Sequence, residues 1–143
     1  MDSEVTALSL GDLEIPKLEA VVELMFLAAY ADGIVVVEER QVFKEHLITA
    51  SRGQLPEATI EAMLTHIGRS LEAEGREHRL VQIRERLNDP RLRRAALGVA
   101  IRVMRADNMV NPSESAFLLR AATALEIPQD EALEMLRLSY TSR

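Results

Sequence analysis

The sequence predicts a single all-α domain of about seven helices, and three features indicate this fold class. Apolar residues recur at every third or fourth position along most of the 143 residues, as the buried face of a helix requires. Strand-type sequence is confined to residues 34–37, which are too few to build a sheet. Proline favours the first turn of a helix, because its missing N–H has no partner there. Each of the five prolines precedes a helical pattern: Pro16, Pro56, Pro90, Pro112 and Pro128.

These signals set the helix boundaries. The predicted helices cover residues 16–31, 37–51, 56–72, 74–87, 90–106, 112–125 and 128–140. The third and fourth could also form one helix that bends at Gly75. Asp89 and Asn111 are residue types that cap helix N-termini. In the last helix, the apolar stripe is expected at Leu133, Leu136 and Tyr140.

The first and fifth helices are predicted to lie at the centre of the domain. Both are apolar on nearly every face, along residues 20–29 and 95–104, and such helices are usually surrounded by others. We expect one compact domain over residues 1–143, with residues 1–14 as a poorly ordered N-terminal segment.

Composition excludes several classes of function. The chain has no cysteine, so disulfides and thiolate chemistry are excluded, and a cytoplasmic location is expected. The net charge of −6 argues against nucleic-acid binding, and no apolar run approaches the ~18 residues of a membrane span. Residues 68–105 are basic, with ten arginines and five carboxylates. We favour solvated arginines that neutralise nearby glutamates over a phosphate- or lipid-binding surface. That surface would comprise Arg69, Arg76, Arg79, Arg84, Arg86, Arg91, Arg93 and Arg94.

An internal repeat distinguishes this chain from a generic helical bundle. The segment Ala31-Asp32-Gly33-Ile34-Val35 recurs 75 residues later as Ala106-Asp107-Asn108-Met109-Val110. Each copy follows a buried helix and precedes a second helix, so the chain contains two matching helical hairpins. We expect them to pack around a pseudo-twofold axis. Gly33 and Asn108 suit the left-handed conformation that ends a helix.

Each repeat also carries a pair of carboxylates seven residues apart. Asp32 and Asp107 follow the negative end of a helix, an unfavourable place for a carboxylate unless a cation or the next helix compensates. If the next helices begin near residues 36 and 111, Glu39 and Glu114 fall at the third helical position. That position suits a capping box. Helix capping and cation binding therefore remain two interpretations, and capping is the more common use of such residues.

The repeated Ala-Asp-Gly-x-Val-x-x-Glu-Glu pattern, nearly complete from Ala31 to Glu39, resembles the TerB-like tellurite-resistance family. The resemblance extends over most of the chain and implies an all-helical bacterial stress-response module. It also implies an acidic site for a divalent cation. Carried over to this sequence, the ligands are Asp32, Glu39, Asp107 and Glu114. The second copy departs from the pattern, because Asn108 replaces the glycine and Ser113 replaces the first glutamate.

Other chemistry finds little support in the sequence. An EF-hand loop begun at Asp32 would place Ile34 and Val36 at ligand positions, and the three histidines lack Glu-x-x-His or His-Glu-x-x-His spacing. No phosphate-binding glycine loop or nucleophile elbow occurs, so we expect no enzymatic activity. Two functions remain: a module that binds Ca²⁺, Mg²⁺ or Mn²⁺ through oxygen ligands, or a structural domain that binds protein partners or forms a homodimer. Membrane association is expected only indirectly, through such partners.

Overall fold

The computed structural model of the protein describes residues 13–29, 37–50, 53–105 and 112–141. Within these residues the chain forms seven helices and no strand. The helices are α1 (Ile15–Ala29), α2 (Val37–Ala50), α3 (Glu57–Glu74), α4 (Arg76–Arg86), α5 (Pro90–Arg105), α6 (Pro112–Ala124) and α7 (Gln129–Thr141). The all-α prediction is confirmed, and every predicted helix boundary lies within two residues of the observed one.

Helices α1 and α5 form the centre of the domain, as predicted. All residues from Ala20 to Ala28 are buried, and so are all residues from Ala95 to Ile101. Helix α1 packs most extensively against α5 and next against α4, while α2 packs on α3 and α7 packs on α5 and α6. Phe26 of α1 meets Phe43 of α2 edge to face, with ring centroids 5.9 Å apart. The apolar surface of the other helices is therefore buried around α1 and α5.

Gly75 separates α3 from α4, so the alternative of one continuous bent helix is wrong. Its φ of +85° lies in a region that other residues avoid, and the helix cannot continue through it. The N–H of Gly75 still donates to Leu71 O at 2.8 Å, and its carbonyl accepts the N–H of Arg79 at 3.1 Å. One residue thus ends one helix and begins the next while its own backbone groups stay hydrogen-bonded.

Side chains cap the ends of the helices around α5. The N–H of Arg91 donates to Asp89 Oδ1 at 2.9 Å, which confirms Asp89 as the N-cap of α5. At the end of α4, the Arg93 guanidinium donates to the carbonyls of Arg84 and Leu87, two of the groups that a helix C-terminus leaves without partners. The same guanidinium donates to Glu126 at 3.0 Å. Arg93 therefore joins the end of α4 to the turn between α6 and α7.

The predicted apolar stripe of α7 is wrong at one position. Leu136 is buried, but Leu133 is 51% exposed, and Ala132 takes the core-facing place instead. Met135 is partly buried against the core beside them. The side chain of Tyr140 lies outside the described residues. Ala132 therefore takes the core-facing position where α7 packs on α5 and α6.

Candidate functional site

The two predicted glutamates occupy equivalent places in the fold. Helix α2 begins at Val37 and α6 begins at Pro112, so Glu39 and Glu114 are each the third residue of their helix. This register is the one that the repeat predicts. The side chains of both glutamates, together with Asp32, Asp107, Gly33 and Asn108, lie outside the described residues. The shared acidic site and the two left-handed turns therefore stay predictions.

The two copies of the repeat also match in burial along residues 20–26 of α1 and 95–101 of α5. Ala20 and its counterpart Ala95 are buried, and so are Leu24 and its counterpart Val99. Phe117 of α6 is buried as well, and the side chain of its counterpart Val42 lies outside the described residues. Equivalent residues of α1 and α5 thus face the core, and these two helices pack against each other. The pseudo-twofold relation between the hairpins remains a prediction.

Three charged side chains link α1, α3 and α4 beside this core. Arg79 of α4 donates from Nε to Glu23 Oε2 at 2.6 Å and from Nη2 to Glu23 Oε1 at 2.8 Å, a two-pronged ion pair. Both side chains are almost fully buried, with 6% and 2% exposed. The third arm, Nη1, donates to Glu74 at the end of α3 at 2.9 Å. These hydrogen bonds raise the pKa of Arg79 further above its ordinary value, and they lower the pKa of Glu74.

Sequence reasoning missed this ion pair. Glu23 is the only charged residue in the apolar run from Ala20 to Ala29, and a lone carboxylate inside a buried helix needs a partner. The position of Glu23 in this helix therefore predicts a buried cationic partner. The partner itself could not be identified, because Arg79 lies 56 residues away and is one of ten arginines in the basic middle of the chain.

A second partly buried cation holds α2 in place. The Lys44 ammonium donates to Glu57 at 2.9 Å and also to Glu61, both on α3, and the Lys44 side chain is 8% exposed. Hydrogen bonds from Glu61 and then Glu57 raise the pKa of Lys44, and burial acts in the opposite direction. Lys44 lies five residues after Glu39 on the same helix. The contact therefore fixes the helix that carries one of the predicted ligands.

The described arginines are largely occupied by partners within the chain. Besides Arg79 and Arg93, Arg94 makes a two-pronged pair with Glu131 of α7, and Arg86 reaches Glu19 of α1 at 3.5 Å. Arg76 lies over the ring of Phe117, 5.9 Å from its centroid. Arg79, Arg86, Arg93 and Arg94 thus each contact a carboxylate of the chain, while the preference against a phosphate-binding surface stays a prediction.

The described residues add no candidate metal site to the one predicted at the repeated motif. No group of three or more His, Asp or Glu side chains there is arranged to hold a metal ion. His78 contacts Glu74 across one helical turn at 3.3 Å, an ordinary pair for that spacing. None of the described helices combines the length and the apolar character that crossing a membrane requires.

The all-helical fold and the duplicated acidic motif define a class of small helical modules. A family model described as tellurite resistance protein TerB matches residues 17–137. The chain therefore belongs to the TerB family, and the match covers every helix except the first two residues of α1 and the last four of α7. No protein in the search of curated proteins and no solved structure gives a significant match.

Proposed function

We propose that this TerB-family chain is a non-catalytic module that binds a divalent cation at its two acidic corners. The acidic corners are residues 31–39 and 106–114, the two copies of the repeated motif. The ligands would be Asp32, Glu39, Asp107 and Glu114. The observation that supports the proposal most directly is the shared register of the two glutamates, each at the third residue of a helix that follows the repeated motif. Two equivalent carboxylate pairs from two equivalent hairpins would suit one shared ion.

The donor set fits a hard cation. All four groups are carboxylates, and oxygen ligands favour Mg²⁺, Ca²⁺ or Mn²⁺ over a metal ion that prefers thiolate ligands. The bound ion would offset the repulsion among the carboxylates and the unfavourable placement of Asp32 and Asp107 after helix C-termini. The competing role is helix capping, in which Glu39 and Glu114 accept backbone N–H groups of α2 and α6.

Calorimetry distinguishes the two roles. We expect heat when Ca²⁺, Mg²⁺ or Mn²⁺ is titrated into the protein, and none when Asp32→Asn and Asp107→Asn are combined. The matched control combines Glu85→Gln with Glu134→Gln, which removes two carboxylates that are more than half exposed and lie outside the repeat. That control should bind as the unmodified protein does. If no heat of binding is measured at millimolar metal, or if the control loses binding equally, the proposal is contradicted.

The location and the physiological setting follow from the family resemblance. We propose a bacterial cytoplasmic protein of a stress response, related to tellurite resistance. The absence of cysteine is compatible with a reducing compartment.

A second candidate function is a structural domain that binds protein partners or a second copy of itself. The observation that favours it is on α7, where Leu133 and Leu138 are each 51% exposed. Exposed leucines can be buried in an interface. Sedimentation of the protein and of a variant that combines Leu133→Ser with Leu138→Ser tests this role. A dimer that the double variant abolishes would support it, and a monomer at every concentration would remove the homodimer.

A further inference from the structure

Helix α4 has the largest share of charged residues among the described helices. Its 11 residues include six charged side chains, and Leu80 and Ile83 are its buried apolar residues. Leu87, which follows the helix, is buried too. By contrast, α1 and α5 are buried over seven or more consecutive residues. Three almost fully buried apolar side chains therefore hold α4 against the domain, where α4 packs chiefly on α1, and its other side-chain contacts are mostly ionic.

Helix α4 also packs on α6, where Arg76 lies over the ring of Phe117, and most of its ionic contacts are made by arginines. Near its N-terminus, Arg79 binds Glu23 of α1 and Glu74 of α3. In its last turn, Arg86 approaches Glu19 of α1 at 3.5 Å. After its C-terminus, Arg93 of α5 donates to the carbonyls of the final turn. Of these contacts, the pair between Arg79 and Glu23 is the most deeply buried.

Both ends of α4 leave the helical conformation. Gly75, with φ +85° and ψ 161°, precedes the helix, and Leu87, with φ −94° and ψ 76°, follows it. Hinges are commonly a few residues at the ends of an element that absorb a change in φ and ψ. A short and highly charged helix between two such residues, held by three buried apolar side chains, has the properties of a segment that opens locally.

We propose that α4 opens from the domain as a unit, and that the ion pair between Arg79 and Glu23 is the latch that holds it closed. Opening turns α4 about Gly75 and Leu87 and uncovers the face of α1 that α4 packs on. Helices α1 and α5 stay folded, because their contact with each other does not involve α4.

Native-state hydrogen exchange tests the first half of the proposal. The backbone amides of residues 80–86 are expected to exchange through an opening that depends only weakly on denaturant. Amides in the middle of α1 and α5 should exchange only through global unfolding. If residues 80–86 exchange with the same free energy and the same denaturant dependence as α1 and α5, α4 does not open separately and the proposal is overturned.

Variants test the latch. Glu23→Gln should speed exchange in residues 80–86 by roughly tenfold to a hundredfold, since it weakens charge-assisted hydrogen bonds made in the closed state. The matched control is Glu131→Gln, which weakens the two-pronged pair with Arg94 between α5 and α7 and should leave α4 exchange unchanged. Because the pair is absent from both the open and the unfolded state, amides of α1 and α5 that exchange through global unfolding should accelerate in Glu23→Gln by a similar factor. Faster exchange in α1 and α5 with no change in residues 80–86 would contradict the latch, since α4 would then open without breaking the pair.

A milder variant covers the case in which Glu23→Gln does not fold. Glu74→Gln weakens the third arm of Arg79, and the Glu74 side chain is 38% exposed, so folding should survive. Exchange in residues 80–86 should rise by about threefold to tenfold. No change in those amides would show that Arg79 does not control the opening of α4.

Discussion

The buried ion pair between Glu23 and Arg79 gives the sharpest prediction for stability. Its two side chains are 2% and 6% exposed and share two hydrogen bonds of 2.6 and 2.8 Å. Glu23→Ala leaves a guanidinium in the core with Glu74 as its remaining carboxylate contact. Removing one partner of a buried pair costs about 3–5 kcal/mol, a large part of the 5–15 kcal/mol that stabilises a typical domain.

The same pair should contribute little when it is compared with apolar residues of similar size. Taking two charges out of water costs nearly as much as their attraction returns, so a well-packed apolar replacement is often neutral or stabilising. Combining Glu23→Leu with Arg79→Met should therefore recover most of the stability that Glu23→Ala or Arg79→Ala loses. The pair would then serve to fix where α4 docks.

Urea unfolding monitored by circular dichroism measures both effects. The free energy of unfolding is extrapolated for the two alanine variants and for the apolar double variant, with equal slopes as the check that the unfolded states are comparable. Alanine variants within about 1 kcal/mol of the unmodified protein would refute the assignment of a desolvated pair. A double variant no more stable than Glu23→Ala would refute the compensation.

Three further predictions follow from single contacts. Asp89→Ala removes the N-cap of α5 and should cost about 1 kcal/mol in urea unfolding, whereas Asn in its place should be nearly neutral. Glu126 has a left-handed φ of +63° at the end of α6, so a branched residue there should destabilise by about 1 kcal/mol or more; an unchanged melting temperature for Glu126→Val would contradict this. The pKa of Glu74 in the folded state is lowered, chiefly by Arg79, so Glu74 stabilises the protein above its unfolded pKa of about 4.3 and loses this effect as the pH falls through the folded pKa. The free energy of unfolding, measured between neutral and acidic pH, should fall less for Glu74→Gln than for the unmodified protein. An equal fall in both would argue against the contact.

Local signals explain why the helices could be predicted so closely. Proline at or just before the first turn, Asp89 at an N-cap and the period of the apolar residues each act within a few positions along the chain. The position of Glu39 and Glu114 at the third residue of α2 and α6 followed from the same local signals. The burial of α1 and α5 followed from apolar residues on nearly all of their faces.

Features that depend on distant partners could not be predicted in this way. The orientation of α7 depends on its packing against α5 and α6, and so Leu133 was assigned to the core although it is half exposed. The sequence does not show which of the ten arginines in residues 68–105 pairs with Glu23. Gly75 was recognised as a point of bending, but its positive φ, which separates α3 from α4, depends on the backbone of the folded chain.

The proposed cation site requires two hairpins whose acidic corners come together, and a distance measurement tests this requirement most directly. The chain has no native cysteine, so spin labels can be attached at Glu38→Cys and Ser113→Cys, equivalent positions next to the predicted ligands. A 143-residue domain has a radius of gyration of about 14 Å and hence a diameter of roughly 40 Å. If the corners meet, the distribution measured by electron paramagnetic resonance should peak below about 25 Å, well within that diameter. A single peak near the full width of the domain would place the corners on opposite sides and contradict a shared site.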